Sequence, residues 1–406
     1  MIQDEIQRAH QDLWQWCRGQ SLAGYDPYDA LNSRLFQATP LRHSRSARLA
    51  WTQLHRRLPV NLRALAGIPQ ERNSKGIAVF ALAALAEYRR SKTKEAEIEA
   101  RELLDGLMSM RLKGFKGAAW GYNFDWQARA FFAPRGTPMI VPTAFAARAL
   151  CEAAEVFGPE EYLPFARTIC DFILNDLNRS EETNDEVCFS YSPLDRTRVF
   201  NASLLAAETL ASVGKLSEEE SLCDWAMRAV RYVIRRQRKD GSWAYGGTDY
   251  QSWTDNFHTA FILTSLSRIH GAVGTESGPL TTGSSAPDLE TAIKRGYDFW
   301  RERFFLANGW PKYYPNRLYP ADAHSAGAAM VALTELQWFD PDALELAEKI
   351  ARWAIENLKD RRGFFYYQRR RFHTVRIPYM RWSEAWMAYA LARVLEGKRK
   401  KKKGKK

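Results

Sequence analysis

Five segments of this chain follow one pattern, and that internal repetition limits its fold more than any other feature. They begin at residues 120, 189, 243, 310 and 364. They read WGYNFDWQARAFFAPRGTPMIVPTAFAARAL, FSYSPLDRTRVFNASLLAAETL, WAYGGTDYQSWTDNFHTAFILTSL, WPKYYPNRLYPADAHSAGAAMVAL and FFYYQRRRFHTVRIPYMRWSEAWMAYAL. Each opens on an aromatic residue and brings a tyrosine two or three positions later: Tyr122, Tyr191, Tyr245, Tyr313 and Tyr366. Each then runs through a polar loop into a stretch rich in Ala, Leu and Ser. Between the segments lie amphipathic stretches such as EEESLCDWAMRAVRYVIRRQR and PDALELAEKIARWAIENLKD, with apolar residues three and four apart. That is the helical period, with one face left for solvent. The segment helices are apolar nearly all round, as buried helices are.

One more apolar helix, GIAVFALAALAEY, precedes the first full repeat. The count predicts six inner helices, near 74–90, 142–157, 200–214, 255–270, 322–337 and 381–396, alternating with outer ones. The fold expected is all-α, an (α/α)6 toroid; an open solenoid is the alternative. Residues 1–70 are expected to form a helical extension completing the outer layer, 71–397 the toroid, and 398–406 a disordered basic tail. The stretch GAVGTESGPLTTGSSAPD reads as a loop on the face away from the long aromatic connections.

Alternation places all inner-helix N-termini at one end, beneath the long aromatic loops. Free N–H groups and a partial positive charge at each N-terminus favour anionic or hydroxyl-rich ligands there. The residues at these entries, Thr143, Asn201, Asp255, Asn256, His258, Asp322, His324, Arg381 and Glu384, are therefore candidates for a central site. Asn201, Asp255 and Asp322 also suit simple N-caps. Arginine is frequent in the same loops, and it pairs bidentately with carboxylate and sulfate.

Composition bounds the partners. The net charge of +12 is concentrated at the end, where eight basic residues follow Gly397, so the body is close to neutral. The tail could touch an anionic membrane surface weakly; no stacking motif points to nucleic acid. Five scattered cysteines without a Cys-x-x-Cys fit a reducing compartment. With no apolar signal core at the N-terminus, the expected location is the cytoplasm. Phosphate-loop, dinucleotide, nucleophile-elbow and zinc-protease signatures are missing, so no cofactor is expected. A metal held by Asp255, His258, Asp322 and His324 is a weak alternative.

These residues support a resemblance. GYNFDWQARAFF, PTAFAARAL, YSPLDRTRVFNASLL, DNFHTAF, PKYYPNRLYPADAH and IPYMRWSEAWMAYAL resemble a bacterial family encoded among exopolysaccharide biosynthesis genes, over residues 35 to 396. More distantly, the helical toroid with tyrosine-rich mouth loops resembles unsaturated-uronyl hydrolases, polysaccharide lyases and uronyl epimerases. The resemblance implies the toroid and the exopolysaccharide pathway, and the arginines of the mouth loops suggest an acidic oligo- or polysaccharide as its partner. QRKDGSW also resembles the Gln-Trp repeats of triterpene cyclases, but the Asp-rich proton donor of those enzymes is missing.

Three chemistries suit such a site: proton abstraction beside a uronate carboxylate (epimerase or lyase), glycoside hydrolysis by two carboxyls, and binding without reaction. Histidine changes charge near neutral pH, so His258 is the first choice for moving a proton and His324 the second. Tyr191, Tyr245, Asp255 and Asp322 are further catalytic candidates. Aromatic contacts to substrate are expected from Tyr122, Trp126, Trp243, Tyr314, Tyr319, Tyr367 and Trp382. Polar contacts are expected from Asp125, Asn201, Asn256 and Glu384, and charge from Arg129, Arg198, Arg376 and Arg381, with Arg376 and Arg381 binding the carboxylate.

Overall fold

A computed structural model describes residues 2–274 and 288–403. After α1 (Ile2–Gly19) come two lesser helices, α2 (Arg34–Gln37) and α3 (Arg45–Arg57). Long helices then alternate. The inner ones are α4 (Ser74–Ser91), α6 (Ile140–Phe157), α8 (Phe200–Ser217), α10 (Asn256–Val273), α12 (Ala323–Glu335) and α14 (Ala385–Lys403), the last entered through a π turn at Met380–Glu384. The outer ones are α5 (Lys94–Ser109), α7 (Pro159–Asn175), α9 (Glu220–Ile234), α11 (Leu289–Phe304) and α13 (Ala343–Leu358). Each inner helix packs on the next, and α14 returns to α4. The ring is closed, an (α/α)6 toroid, and the open solenoid is excluded. Helix α1 lies outside α14 and beside α13. Strands are confined to the loops: β1 (Trp126–Gln127) with β2 (Phe132–Ala133), β3 (Arg179–Glu182) with β4 (Val187–Phe189), and β5 (Ala321–Asp322) with β6 (Gln368–Arg369) and β7 (Thr374–Val375).

Burial follows the two patterns read from sequence. In α6 every residue from Ile140 to Ala154 is buried. In α9 Leu222, Ala226, Ala229, Val230 and Val233 form a buried stripe, joined in the last turn by Tyr232 and Ile234, with arginines on the other face.

Three of the repeated tyrosines, and Tyr367 beside the fifth, join neighbouring units through their backbone. The first N–H of an α-helix has no partner within that helix. Here Ile140, Phe200, Asn256 and Ala323 donate theirs to the carbonyls of Tyr191, Tyr245, Tyr313 and Tyr367 in the next repeat, and Met380 donates to Tyr25, all at 3.0–3.2 Å. Tyr25 thus closes the ring from the N-terminal segment. The glycine of each entry turn joins the outer layer. Gly241 and Gly363 have φ of +88° and +108°, where other residues are strained. A Cβ there would also lie 2.3 Å from the Arg295 carbonyl oxygen of α11 and 2.5 Å from that of Asp12 in α1.

At the far end of the inner helices a belt of ion pairs crosses the ring. Arg148 of α6 meets Glu208 of α8 in a two-pronged pair, and Ser265 of α10 donates to the same glutamate. Arg268 of α10 bridges Glu152 of α6 and Glu335 of α12. Arg393 of α14 reaches Glu335, and Arg89 of α4 reaches Glu152 and Glu396. Burial pushes the Glu335 carboxyl up, but Arg268 and Arg393 outweigh it and bring it from the usual 4.5 down to about 2. Glu152 is lowered too, its burial overcome by Arg89, Arg268 and Arg393. A lowered carboxylate stabilises the fold above its unfolded pKa and loses that contribution as pH falls. The urea midpoint should therefore hold above about pH 4.5 and drop as pH falls toward 2. A flat midpoint across that window would show that the belt is not the acid-sensitive element.

Helix α14 runs on to Lys403, so most of the basic tail expected to be disordered has helical backbone. It propagates from the buried turns Ala385–Leu395, and lysine is a good helix former. Residues 404–406 lie outside the described residues, as does most of the Gly/Ser/Thr-rich stretch after Val273. No described helix is long and apolar enough to cross a membrane.

Candidate active site

The inner-helix N-termini open on a cavity of about 950 Å³. One structural position builds much of its floor. The N-cap residues of the inner elements are Asn73, Met139, Val199, Asp255, Asp322 and Tyr379. Two residues beyond them stand Lys75, Val141, Asn201, Phe257, His324 and Arg381, and all six line the cavity. The toroid thus turns one helical register into a ring of six side chains.

His258, one position further on, forms the most developed polar group. Its Nδ1 lies 2.7 Å from Asp255 Oδ2, and its backbone N–H donates to Asp255 Oδ1 at 3.0 Å. Trp253 Nε1 donates to the same carboxylate at 3.1 Å. Asp255 is therefore both N-cap and orienter. A carboxylate facing Nδ1 places a proton there, which leaves Nε2 as the ring nitrogen available to a bound molecule. The imidazole sits against Tyr245 and Phe257, at centroid distances of 4.6 and 3.9 Å, and its side chain keeps 20% exposure.

His324 also reaches the cavity but is fully buried. It stacks on Trp382 at 4.1 Å, and its Nδ1 lies 3.1 Å from the Trp382 carbonyl. A carbonyl only accepts, so the proton is on Nδ1, and Nε2 is an acceptor with no partner. Burial, then Lys75 and Arg381, hold this imidazole well below the usual histidine range, so it is neutral. Tyr191 and Tyr245 line the wall, and burial raises both phenols above the ordinary value. They remain protonated and serve as hydrogen-bond donors rather than bases.

Tyr122, Trp126, Arg129, Asn201, Tyr314, Tyr319, Arg381 and Trp382 line the same cavity. Arg381 is held by Asp26 through two bonds of 2.6 and 2.7 Å, across 355 residues of sequence. Its charge is thus balanced, and it supplies a rigid wall under Tyr122 and Trp382.

Nine candidates fall outside the lining, the first being Thr143, whose buried hydroxyl bonds the Trp120 backbone. Asp322 is a buried N-cap bonded to the Ser325 N–H, and burial raises its carboxyl to about 6. Asn256 spends its amide on Trp300 Nε1 and the Lys312 carbonyl. Trp243 is buried, its indole N–H on the Val233 carbonyl. Glu384 accepts from the Phe365 N–H, and burial keeps it protonated far above the usual range. Asp125 accepts from the Arg135 N–H, and Arg198 pairs with Glu181. Tyr367 is buried behind Arg56. Arg376 lies exposed over Tyr366, so it does not bind a carboxylate in this cavity. In each case the residue is near an entry, but the helical rotation or the loop path turns it toward its own scaffold.

Several lining residues were missed. Arg56 and Arg57 of α3, Lys75 of α4, Tyr28 and Gln53 come from the N-terminal part, which lacks the repeat's aromatic opening. Arg370, in the loop of the last repeat, also lines the cavity. Arg56, Arg57, Lys75, Arg129 and Arg370 have no carboxylate partner among the described residues, and Asp255 is the one carboxylate of the described lining. The cavity is electropositive. No group of three His, Cys, Asp or Glu among the described residues is placed to hold a metal.

No family model and no characterised protein sequence matches this chain. Solved structures do. A cellobiose 2-epimerase from Bacillus thermoamylovorans is similar with a TM-score of 0.62 and 14% identity, over 81% of this chain and 90% of that one. An unsaturated glucuronyl hydrolase specific for heparin gives 0.61 and 13%, over 99% and 98%. A GH76 α-mannanase from Bacteroides thetaiotaomicron gives 0.59 and 13%, over 83% and 90%. At such identities the likeness speaks for the shared fold.

Proposed function

We propose that this chain is a carbohydrate-active enzyme that binds an acidic, uronate-type sugar unit in the electropositive cavity and moves a proton on it, as an epimerase or a lyase. The observation that carries the reading is the His258–Asp255 pair at the cavity wall, one imidazole nitrogen fixed and the other free. Moving the proton beside a carboxylate uses an oriented proton-transferring group, as this imidazole is, cationic groups to receive the acid, and donors for the developing enediolate. Arg56, Arg57, Arg129 and Arg370 meet the second need, and the protonated phenols of Tyr191 and Tyr245 the third. Two-carboxylate hydrolysis is less well served, because Asp255 is the single carboxylate of the described lining and is already tied to His258 and Trp253. The names of the structural neighbours, which include epimerases and uronyl hydrolases, fit a sugar substrate. The resemblance read from sequence puts the step in exopolysaccharide synthesis or modification.

The test is incubation with acidic oligosaccharides in D2O. Deuterium entering the sugar without an unsaturated product indicates an epimerase. Ultraviolet absorbance of an unsaturated uronate indicates a lyase. New reducing ends alone, or binding with no change in the sugar, would overturn the proposal.

A further inference from the structure

Lys75 is a lining residue whose chemistry the reading above leaves unused. It is 2% exposed, in the first turn of α4. Its Nζ lies 4.6 Å from the ring centre of Phe145, 5.3 Å from that of Phe261 and 5.5 Å from that of Trp386. It has no hydrogen-bond or carboxylate partner among the described residues. A structural lysine buried this deeply is normally ion-paired; this one faces three aromatic rings and the cavity instead.

The ring order fixes where it acts. From α4, three steps in either direction around the inner helices lead to α10, so Lys75 stands across the ring from His258. Both border the Phe261 ring, His258 at 6.4 Å between centroids. The charged and titratable groups near the amine are Arg381 of the π turn, Arg148 of α6, His324 of α12 and Asp26 behind Arg381. We propose that Lys75 is a catalytic residue, the second proton-transferring group of this cavity, acting on the bound sugar from the side opposite His258. The inference rests on the proton-abstraction reading.

Burial, then Arg381, hold the amine well below the ordinary lysine range, with Asp26 opposing and Arg148 adding to the shift. An uncharged amine is a competent base. Its lone pair takes the proton on the carbon beside the carboxylate, a C–H bond breaks, an N–H bond forms, and the electron pair passes into the enediolate. In epimerisation protonated His258 returns a proton through Nε2 to the other face of that carbon, and exchange with water restores both groups. In elimination His258 protonates the departing oxygen instead. No oxidant or further reactant enters.

The experiment compares wild type, Lys75→Met and Lys75→Arg by deuterium uptake into an acidic oligosaccharide and by thermal melting. Lys75→Met replaces a buried amine that has no polar partner among the described residues by an apolar side chain of similar length and should melt no lower than wild type, yet lose at least about a hundredfold in turnover. Lys75→Arg keeps a long basic side chain but stays protonated and cannot accept a proton, and should lose as much. Ethylamine added to Lys75→Ala should restore exchange in proportion to its free-base fraction. The wild-type rate should fall on the acid side, and that limb should be absent from the residual rate of Lys75→Met. Wild-type activity in Lys75→Arg, or no amine rescue, would assign Lys75 to anion binding or packing and overturn the proposal. If wild type neither exchanges deuterium nor forms an unsaturated uronate, the proton-abstraction reading fails and Lys75 falls with it; if wild type does either and Lys75→Met does so equally, only the role of Lys75 falls.

Discussion

Alanine at position 258 should cost about a thousandfold or more in turnover on the acidic sugar and leave the protein folded. The imidazole is held by one carboxylate and two rings, and its loss opens no closed core. Stability should move by about 1–2 kcal/mol, the usual range for a point change. Asp255→Asn gives the matching control. It keeps the size of the N-cap but no longer requires the proton on Nδ1, so the tautomer is released and the rate should fall while the helix stays capped. The measurement is initial rate with urea unfolding on the same preparations. If His258→Ala keeps wild-type rate, or unfolds, the residue is structural.

Glu208→Ala should be the most damaging single change to the fold, at about 3–5 kcal/mol. Arg148 and Glu208 are each about one-twentieth exposed, and their two bonds are 2.7 and 2.6 Å. Removing the glutamate strands a guanidinium between α6 and α8 and takes away the acceptor for Ser265. The cost arises from the stranded charge more than from the lost attraction. The double change Arg148→Met with Glu208→Leu should therefore recover most of it. Urea unfolding of both variants decides this: equal loss in the double variant would mean that the belt contributes directional bonding that apolar packing does not replace.

The fold was legible because its determinants are local and repeated. Helical period, apolar inner stretches and a recurring tyrosine can be read from one sequence, and the tyrosine has a physical basis in the ring: at Tyr191, Tyr245 and Tyr313 its carbonyl receives the neighbour's first N–H. The Asp255–His258 pair was legible for the same reason, being a cap and a first-turn residue. Asn256 and Trp243 were misread because proximity to an entry does not specify direction; one residue along a helix turns a side chain by about 100°. Lys75 had a signal that aligning the caps would have exposed, since it occupies the register of Asn201, His324 and Arg381. The Arg381–Asp26 pair and the place of α3 had none, because they join distant parts of the chain without periodicity.

The ion-pair belt beneath the floor also decides traffic. Among the described residues the six inner helices are tied together by buried charge below Lys75 and Phe261, so the basin is closed on that side and opens at the inner-helix N-termini. A polymer can put an end into it or lie across the rim, but it cannot be drawn through. Substrate and product must use the same passage in turn, so the product of one event should compete with the next arrival, and long chains should be altered one visit at a time rather than in a continuous run.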